Sequence, residues 1–403
     1  GDGNDTFIAT SFDDGADQID GGAGSDTLDY SVYATTNYIT VSLGESNVIV
    51  DVVVAGSGNT DKVQNIENII ATEGADIIVG NTSSNTLIGM KGKDQLSGGD
   101  GDDKLYGDNI ADDLAAGRDS SNDDTLQGGI GYDELYGGNG SDTLYGGAGN
   151  DLRNGGADTD IVNYADATGS VTVDLGDTAA QAIGGGEGTD TITNIENIIG
   201  SAYNDTFKVN YNANGTLDGG VTDNIGGDTV DYTTLDVDDV TVDKIISDFN
   251  TATVTGDSAN NTGIAGIINI TNTFINIENI TASAGNDTIT GNSSKNTIKG
   301  LAGDDFVEGG DGDDYLDGGT NTSVGDTVNY STATESVSID LGIDGIAQVV
   351  SVNQGSDTFV GIENVLGSKY ADTFKGNNLV SNTFNGGTVT IGGAENTNDE
   401  NRL

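Results

Sequence analysis

The chain has no cysteine, no histidine, no tryptophan and no proline, and a single methionine, Met90. Without cysteine there is no disulfide and no zinc–thiolate site, and without histidine no zinc–imidazole site. Nor can a Ser-His-Asp or Cys-His nucleophile be assembled. The lack of proline suits strands whose neighbours on both sides need every backbone N–H. Basic residues are scarce: 13 Lys and Arg stand against 66 Asp and Glu, a net charge of −53. That balance excludes the basic patches of nucleic-acid binders and opposes anionic membrane surfaces. Apolar residues make up 34% and aromatics 6% of the 403 residues, too few for a thick core. The longest apolar runs, such as Val48–Val50 and Val52–Ala55, are far too short for membrane insertion as a helix, and no signal-peptide pattern appears. The first methionine comes at position 90, and the opening Gly1-Asp2-Gly3-Asn4-Asp5 falls inside a repeat. The expectation is a fragment, a processed product or a piece that continues in a longer chain.

What the chain has in excess is glycine, 64 residues, and aspartate: with 12 of the 66 acids glutamate, the remaining 54 are aspartate. A merely solvated acidic surface would use both acids. Aspartate is the turn-former, whose short arm keeps its carboxylate beside its own backbone. Such a charge calls for a cationic partner, most simply a metal ion.

The aspartates obey a nine-residue pattern, clearest in GGIGYDELYGGNGSDTLYGGAGND at 128–151. Glycines open each unit, an aspartate is sixth and a large apolar residue eighth. The register runs back through 119–127, 107–115 (GDNIADDLA, with a three-residue insert at 116–118), 98–106, 89–97, 80–88 and 71–79. Forwards it runs through 146–154 and 155–163, giving ten units nearly in tandem. A second run fills 282–317, and shorter pieces lie at 1–29, 200–208 and 367–375.

A longer repeat is laid over this one. It opens with an aspartate leading to a tyrosine, at 26–30, 160–164, 228–232 and 326–330. An alternating strand follows, as in VTVDLG at 171–176, and the close is NIEN at 65–68, 194–197 and 276–279 or GIEN at 361–364. These four modules read as wider, irregular coils set between regular ones. Everything is strand and turn, with no sustained helical period.

Within the nonapeptide, six residues make a turn and three make a minimal strand whose middle residue points inward. Glycines allow positive φ and let carbonyls approach a shared point. If nine residues reverse the chain, eighteen make one coil, and like turns stack about 4.8 Å apart. Asp124 then lies over Asp142, Asp133 over Asp151, Asp142 over Asp160, Asp76 near Asp94 and Asp287 near Asp305. Stacked carboxylates repel strongly where the dielectric is low, so something positive belongs between them. Two carboxylates and turn carbonyls supply the oxygen set of Ca²⁺, whereas Mg²⁺ demands tighter octahedral geometry. The acidic runs at 100–103 and 311–314 lack the spacing and bidentate glutamate of an EF-hand. Glu67, Glu196, Glu278 and Glu363 are placed by the repeat, and Tyr30, Tyr164, Tyr232 and Tyr330 cap or pack at module junctions.

At this point the sequence resembles the RTX, or haemolysin-type, calcium-binding repeat proteins, whose unit is G-G-x-G-x-D-x-U-x. The resemblance implies an all-β fold: a parallel β-roll or β-solenoid of calcium-binding nonapeptides, with wider irregular coils between them. It also implies multiple Ca²⁺ ions held between successive turns by sixth-position aspartates and glycine-loop carbonyls. Carried onto this chain, the aspartates are Asp94, Asp103, Asp112, Asp124, Asp133, Asp142, Asp151, Asp160, Asp287, Asp305 and Asp314, then Asp5, Asp26, Asp76, Asp205 and Asp372. The loop glycines are Gly98, Gly128, Gly131, Gly137, Gly140, Gly146, Gly149, Gly309 and Gly312. The chain departs from the pattern at Asn85 and Asn296, at sixth positions, and at Arg153, which takes an inward position and is expected to loosen the register.

Repeat segments are expected at 1–29, 71–163, 200–231, 282–329 and 367–391. Spacer modules fall at 30–70, 164–199, 232–281 and 330–366, and a polar tail at 392–403. Because each coil buries little and the charge opposes compaction, folding is expected to require calcium, after type I secretion to the cell surface or exterior. The leading reading is a non-enzymatic structural protein, such as an adhesin, surface-layer, filament or matrix component. End-to-end self-association is one expected partner mode. The alternatives are a calcium-folded accessory module of a secreted protease, lipase or epimerase, and an adhesin that contacts ice or glycan.

Overall fold

The computed structural model describes residues 1–9, 16–33, 36–55, 60–109, 122–209, 215–220, 227–233, 244–247, 251–257, 267–321, 323–377, 382–386 and 388–391. They are strand and turn, with no helix among the described residues. The chain divides into two compact units, Gly1–Tyr203 and Asn204–Leu403.

In the first unit, successive strands alternate between two parallel sheets. One sheet holds Thr6–Ile8, Thr27–Asp29, Asn68–Ile70, Thr86–Met90, Lys104–Asp108, Glu134–Asn139, Leu152–Ala157 and Thr189–Thr193. The other carries Ile39–Ser42, Ile77–Val79, Gln95–Asp100, Thr125–Gly131, Thr143–Gly149, Ile161–Asn163 and Asn197–Ile199. Leu126 pairs with Leu144 and Leu135 with Arg153, so one coil is eighteen residues, as the spacing predicts. The eighth-position residues Leu87, Leu96, Leu105, Leu126, Leu135 and Leu144 are buried in one core cluster. Each contributes roughly 1.5–3 kcal/mol by leaving water, and the core is only as thick as the two facing columns.

The spacers enter as insertions within single coils. Ile69 pairs with Leu28, and Ile192 with Arg153, so the inward column resumes in register after each spacer. The first spacer contributes the antiparallel strands Ile39–Ser42, Val50–Val54 and Thr60–Gln64, the last of which runs parallel to Gln18–Asp20. The sharp turn into NIEN has a backbone cause. Asn65, Asn194 and Asn276 have φ of 54°, 53° and 53°, and the fourth copy puts Gly361 at 61°. Asparagine and glycine are the residues that enter this left-handed region most easily, which explains why N and G alternate at this place in the motif.

The second unit repeats the design. Thr206–Lys208, Thr229–Asp231, Asn279–Thr281, Thr297–Lys299, Tyr315–Asp317 and Gly355–Val360 form one parallel ladder, with Phe207, Val230, Ile280, Ile298, Leu316 and Phe359 inward. Thr288–Thr290, Phe306–Glu308, Thr327–Asn329, Asn364–Leu366 and Thr383–Asn385 form the other.

Two expectations are corrected. Leu96 pairs with Leu126 and Leu105 with Leu135, thirty residues on in each case. The segment 107–127 is therefore one unit with a twelve-residue insertion, not two units with a three-residue insert. GDNIADDLA imitates a unit, but the fold pairs around it; Asp112 lies outside the described residues. The second correction concerns Arg153. Its register does not loosen, because Arg153 sits squarely between Leu135 and Ile192 in the inward column.

Candidate metal sites along the aspartate ladders

In each coil the sixth-position aspartate is reached by a backbone N–H of the coil before. Asp94 Oδ1 accepts from the Asp76 N–H (2.7 Å), Asp124 Oδ1 from Asp94 (2.7 Å), Asp142 Oδ1 from Asp124 (2.7 Å) and Asp160 Oδ1 from Asp142 (2.8 Å). On the opposite side, Asp103, Asp133, Asp151 and Asp190 accept in the same way from Asn85, Asp103, Asp133 and Asp151. In the second unit Asp228 accepts from Asp205, Asp305 from Asp287, Asp326 from Asp305, Asp314 from Asn296 and Asp357 from Asp314. Asp26 accepts from Asp5, and Asp372 from the N–H of Val337. The result is columns of carboxylates aligned by charge-assisted bonds, each using one oxygen.

The other oxygen is the informative one. Among the described residues, Oδ2 of Asp26, Asp94, Asp103, Asp124, Asp133, Asp142, Asp160, Asp228, Asp305, Asp314, Asp326 and Asp372 is buried with no hydrogen-bond partner. A buried carboxylate oxygen left without a partner costs several kcal/mol unless a cation compensates it. Burial, with a smaller push from neighbouring carboxylates, raises Asp94, Asp124 and Asp142 to about 9. Burial likewise carries Asp133, Asp160, Asp305, Asp314 and Asp326 to about 7, Asp228 to about 8 and Asp103 to about 6.

The first glycine of each unit leaves the room for this. A methyl added at Gly137 would fall closer than 3.0 Å to both Asp142 Oδ2 and the Gly155 carbonyl oxygen; at Gly128 it would meet Asp133 Oδ2 and the Gly146 oxygen. Gly98 and Gly309 face Asp103 and Asp314 Oδ2, and their carbonyls line the cradles of Gly80 and Gly291. The fourth-position glycine has a different duty. Gly131, at φ 151°, and Gly140, at φ 120°, take backbone shapes that other residues rarely adopt. Carbonyl oxygens run along this column too: Gly131 O lies under Gly149, Gly149 O under Gly188 and Gly312 O under Gly355. At Gly146 the cradle is instead filled by the guanidinium of Arg153.

Among the described residues, no three acidic side chains are grouped so that they alone could hold a metal ion. The donor set is instead a carboxylate oxygen with main-chain carbonyls, repeated coil after coil. Hard oxygen donors in a flexible, carbonyl-rich loop fit Ca²⁺ and suit Mg²⁺ poorly.

The ladders have defined ends. Glu67, Glu196, Glu278 and Glu363 each place Oε2 2.8–3.0 Å from the N–H of Asp26, Asp160, Asp228 and Asp326, so the NIEN glutamate stands in for the next aspartate. At the other end a hydroxyl serves: Thr72 Oγ1 lies 3.0–3.1 Å from both oxygens of Asp76, Ser283 Oγ equally near Asp287, and Ser368 Oγ 2.6 Å from Asp372 Oδ1. Asn85 and Asn296 donate their Nδ2 to the Glu67 and Glu278 carbonyls, at 2.7 and 3.1 Å. Their amides supply the positive edge that aspartate lacks.

Sequence reasoning missed four ladder members: Asp190, Asp228, Asp326 and Asp357. For Asp190 and Asp357 the signal was GTDTI at 188–192 and GSDTF at 355–359, which carry the G-x-D-x-U half of the nonapeptide without its leading glycines; Asp228 and Asp326 open the aspartate-to-tyrosine motif, as Asp160 does. The junction tyrosines Tyr30, Tyr164, Tyr232 and Tyr330 are fully buried, and Tyr330 donates its hydroxyl to Asp357 Oδ2.

The RTX calcium-binding nonapeptide repeat (4 copies) matches residues 1–31, 70–105, 79–114, 119–152, 275–298 and 290–322. No curated protein matches the chain. No helix among the described residues is long and apolar enough to cross a membrane.

Proposed function

We propose, for a chain that carries several copies of the RTX calcium-binding nonapeptide repeat, that it is an extracellular structural body which calcium folds and rigidifies after secretion. The observation that carries this reading is the set of buried, unpartnered aspartate Oδ2 atoms aligned in columns. Asp94, Asp103, Asp124, Asp133, Asp142 and Asp160 in the first unit, and Asp305 and Asp314 in the second, would hold the ions together with the carbonyls of the adjoining glycine turns. Bound calcium neutralises these columns and ties each coil to the next. Without it, the chain must either protonate buried carboxylates or stay unfolded, because a net charge of −53 opposes compaction. The sites exist only when successive coils are stacked, so binding energy is folding energy. Extracellular calcium modules work at roughly 10⁻⁴–10⁻³ M, which would keep the chain open inside a cell and close it outside. A surface-layer, filament, adhesin or matrix role would each use a stacked repeat that hardens on export.

The test is circular dichroism of a chelated sample at neutral pH, titrated with calcium. The expected result is a cooperative gain of β-structure. A β-rich spectrum that excess chelator leaves unchanged would overturn the reading.

A further inference from the structure

One ladder step is built differently from the rest. Arg153 takes the inward eighth position, fully buried, where its register neighbours are Leu135 and Ile192. Its Nη2 lies 2.7 Å from Asp190 Oδ2, 3.3 Å from Glu187 Oε2 and 3.4 Å from Asp151 Oδ2. The guanidinium carbon stands 4.6 Å from the centre of the Tyr164 ring, while Nε and Nη1 have no hydrogen-bond partner. Two independent observations locate this group. First, a methyl at Gly146 would meet Arg153 Nη2, Nε and Cζ, whereas the equivalent methyl at Gly89, Gly107, Gly128 or Gly137 would meet the unpartnered aspartate oxygen and a carbonyl of the next coil. Second, Asp151 and Asp190 are absent from the set of unpartnered Oδ2 atoms that includes Asp133 and Asp142, because Arg153 reaches both.

We propose that the Arg153 guanidinium occupies the cation position between Asp151 and Asp190, so that this step is closed to calcium and stays ordered without it. The inference rests on the calcium reading of the neighbouring ladder. A guanidinium is always charged, delocalised and less strongly hydrated than an ammonium, so it is the side chain best able to sit permanently among buried carboxylates. Glu187, from the spacer, adds a third carboxylate that no regular unit has. The step also marks where the regular run hands over to the 164–199 spacer, and here a calcium-independent clamp would hold the spacer to the roll before ions arrive.

The experiment uses the full chain and counts calcium ions bound at saturation, alongside hydrogen exchange in excess chelator. Arg153→Leu restores the inward leucine of the other units. It should bind one more calcium per chain than wild type, and in chelator it should lose the amide protection of Leu152–Asn154 and Thr191–Thr193 that wild type keeps. Equal stoichiometry in the two proteins, or equal chelated protection, overturns the proposal. Asp190→Asn covers the case in which the first variant fails to fold. It should leave the calcium count unchanged while Asp142→Asn lowers it by one, and loss of an ion in Asp190→Asn refutes the assignment. A wild-type chain that binds no calcium would instead remove the ladder reading itself, and the clamp with it.

Discussion

The carboxylate columns make a prediction about protons that is opposite in sign for the calcium-free and calcium-bound chain. In the calcium-free fold, burial holds Asp94, Asp124 and Asp142 near 9, against an ordinary value of 3.8. Between about pH 4 and pH 9 the fold therefore binds more protons at these groups than the unfolded chain does. Stability must fall as pH rises through that window, and it is greatest below the unfolded value. From pH 7 to pH 5 each fully protonated group contributes about 1.36 kcal/mol per pH unit. Three groups over two units give about 8 kcal/mol, an upper bound because stacked carboxylates share protons. A whole domain is stable by only about 5–15 kcal/mol, so acid alone should fold much of the first unit in chelator.

The assay is far-ultraviolet circular dichroism from pH 8 to pH 4.5 in excess chelator, with a parallel calcium titration at each pH. β-Structure should rise on acidification without calcium. With calcium, the midpoint should move to higher ion concentration as pH falls, because protons and ions compete for the same oxygens. Charge relief over the whole chain acts in the same direction, so a control is needed. The double variant Asp124→Asn/Asp142→Asn should show a shallower pH dependence than wild type, with the remainder carried by Asp94 and by the groups raised to about 6–7, Asp103, Asp133 and Asp160. A flat chelated profile between pH 7 and pH 5, or an unchanged slope in the double variant, would refute the argument.

Three further outcomes are expected. Leu135→Ala empties a wholly buried place in the inward column and should cost about 2–5 kcal/mol, read as a lower denaturant midpoint in saturating calcium. Gly137→Ala pushes a methyl against Asp142 Oδ2 and the Gly155 carbonyl; isothermal calorimetry should show at least one ion lost, whereas Ala at the exposed Tyr132 should leave the count unchanged. Asn85→Asp exchanges an amide that bonds the Glu67 carbonyl for a carboxylate beside it, so the variant should bind one extra calcium and be less stable in chelator.

The regular part of this fold was legible because its information is local. Nine-residue spacing places Leu126, Leu135 and Leu144 on the inside and Asp124, Asp133 and Asp142 in the turns without reference to anything distant. What was not legible depends on contacts across long stretches of chain. Asp151 finds Asp190 thirty-nine residues on, and Asp160 finds Glu196 thirty-six on, distances that no nonapeptide count supplies. GDNIADDLA failed for the opposite reason: its local pattern is adequate, yet the flanking coils pair across it. The glutamates of NIEN looked positional because sequence shows only that they recur, whereas the backbone N–H that each one accepts belongs to another coil. Asn65 and Gly361 became intelligible once their shared left-handed φ was seen.

The placement of the exceptions follows from the physics of a stacked repeat. An interior coil is held by a neighbour on each side, while a coil beside a spacer has one regular neighbour and gains less from stacking. If every step depended on an ion, those outer coils would be the weakest points of each run. Yet that is where the chain supplies its own donors. Thr72 serves Asp76 and Ser283 serves Asp287, Asn85 and Asn296 replace their carboxylates by amides, and Arg153 lies between Asp151 and Asp190. The unpartnered oxygens of Asp94, Asp103, Asp124, Asp133 and Asp142 lie between these steps. Where a hydroxyl, an amide or Arg153 is supplied, the step has a donor of its own, whereas Asp94, Asp103, Asp124, Asp133 and Asp142 within the run, and Asp26, Asp160, Asp228 and Asp326 beside the NIEN or GIEN glutamates, each keep an oxygen that only a proton or an ion can satisfy.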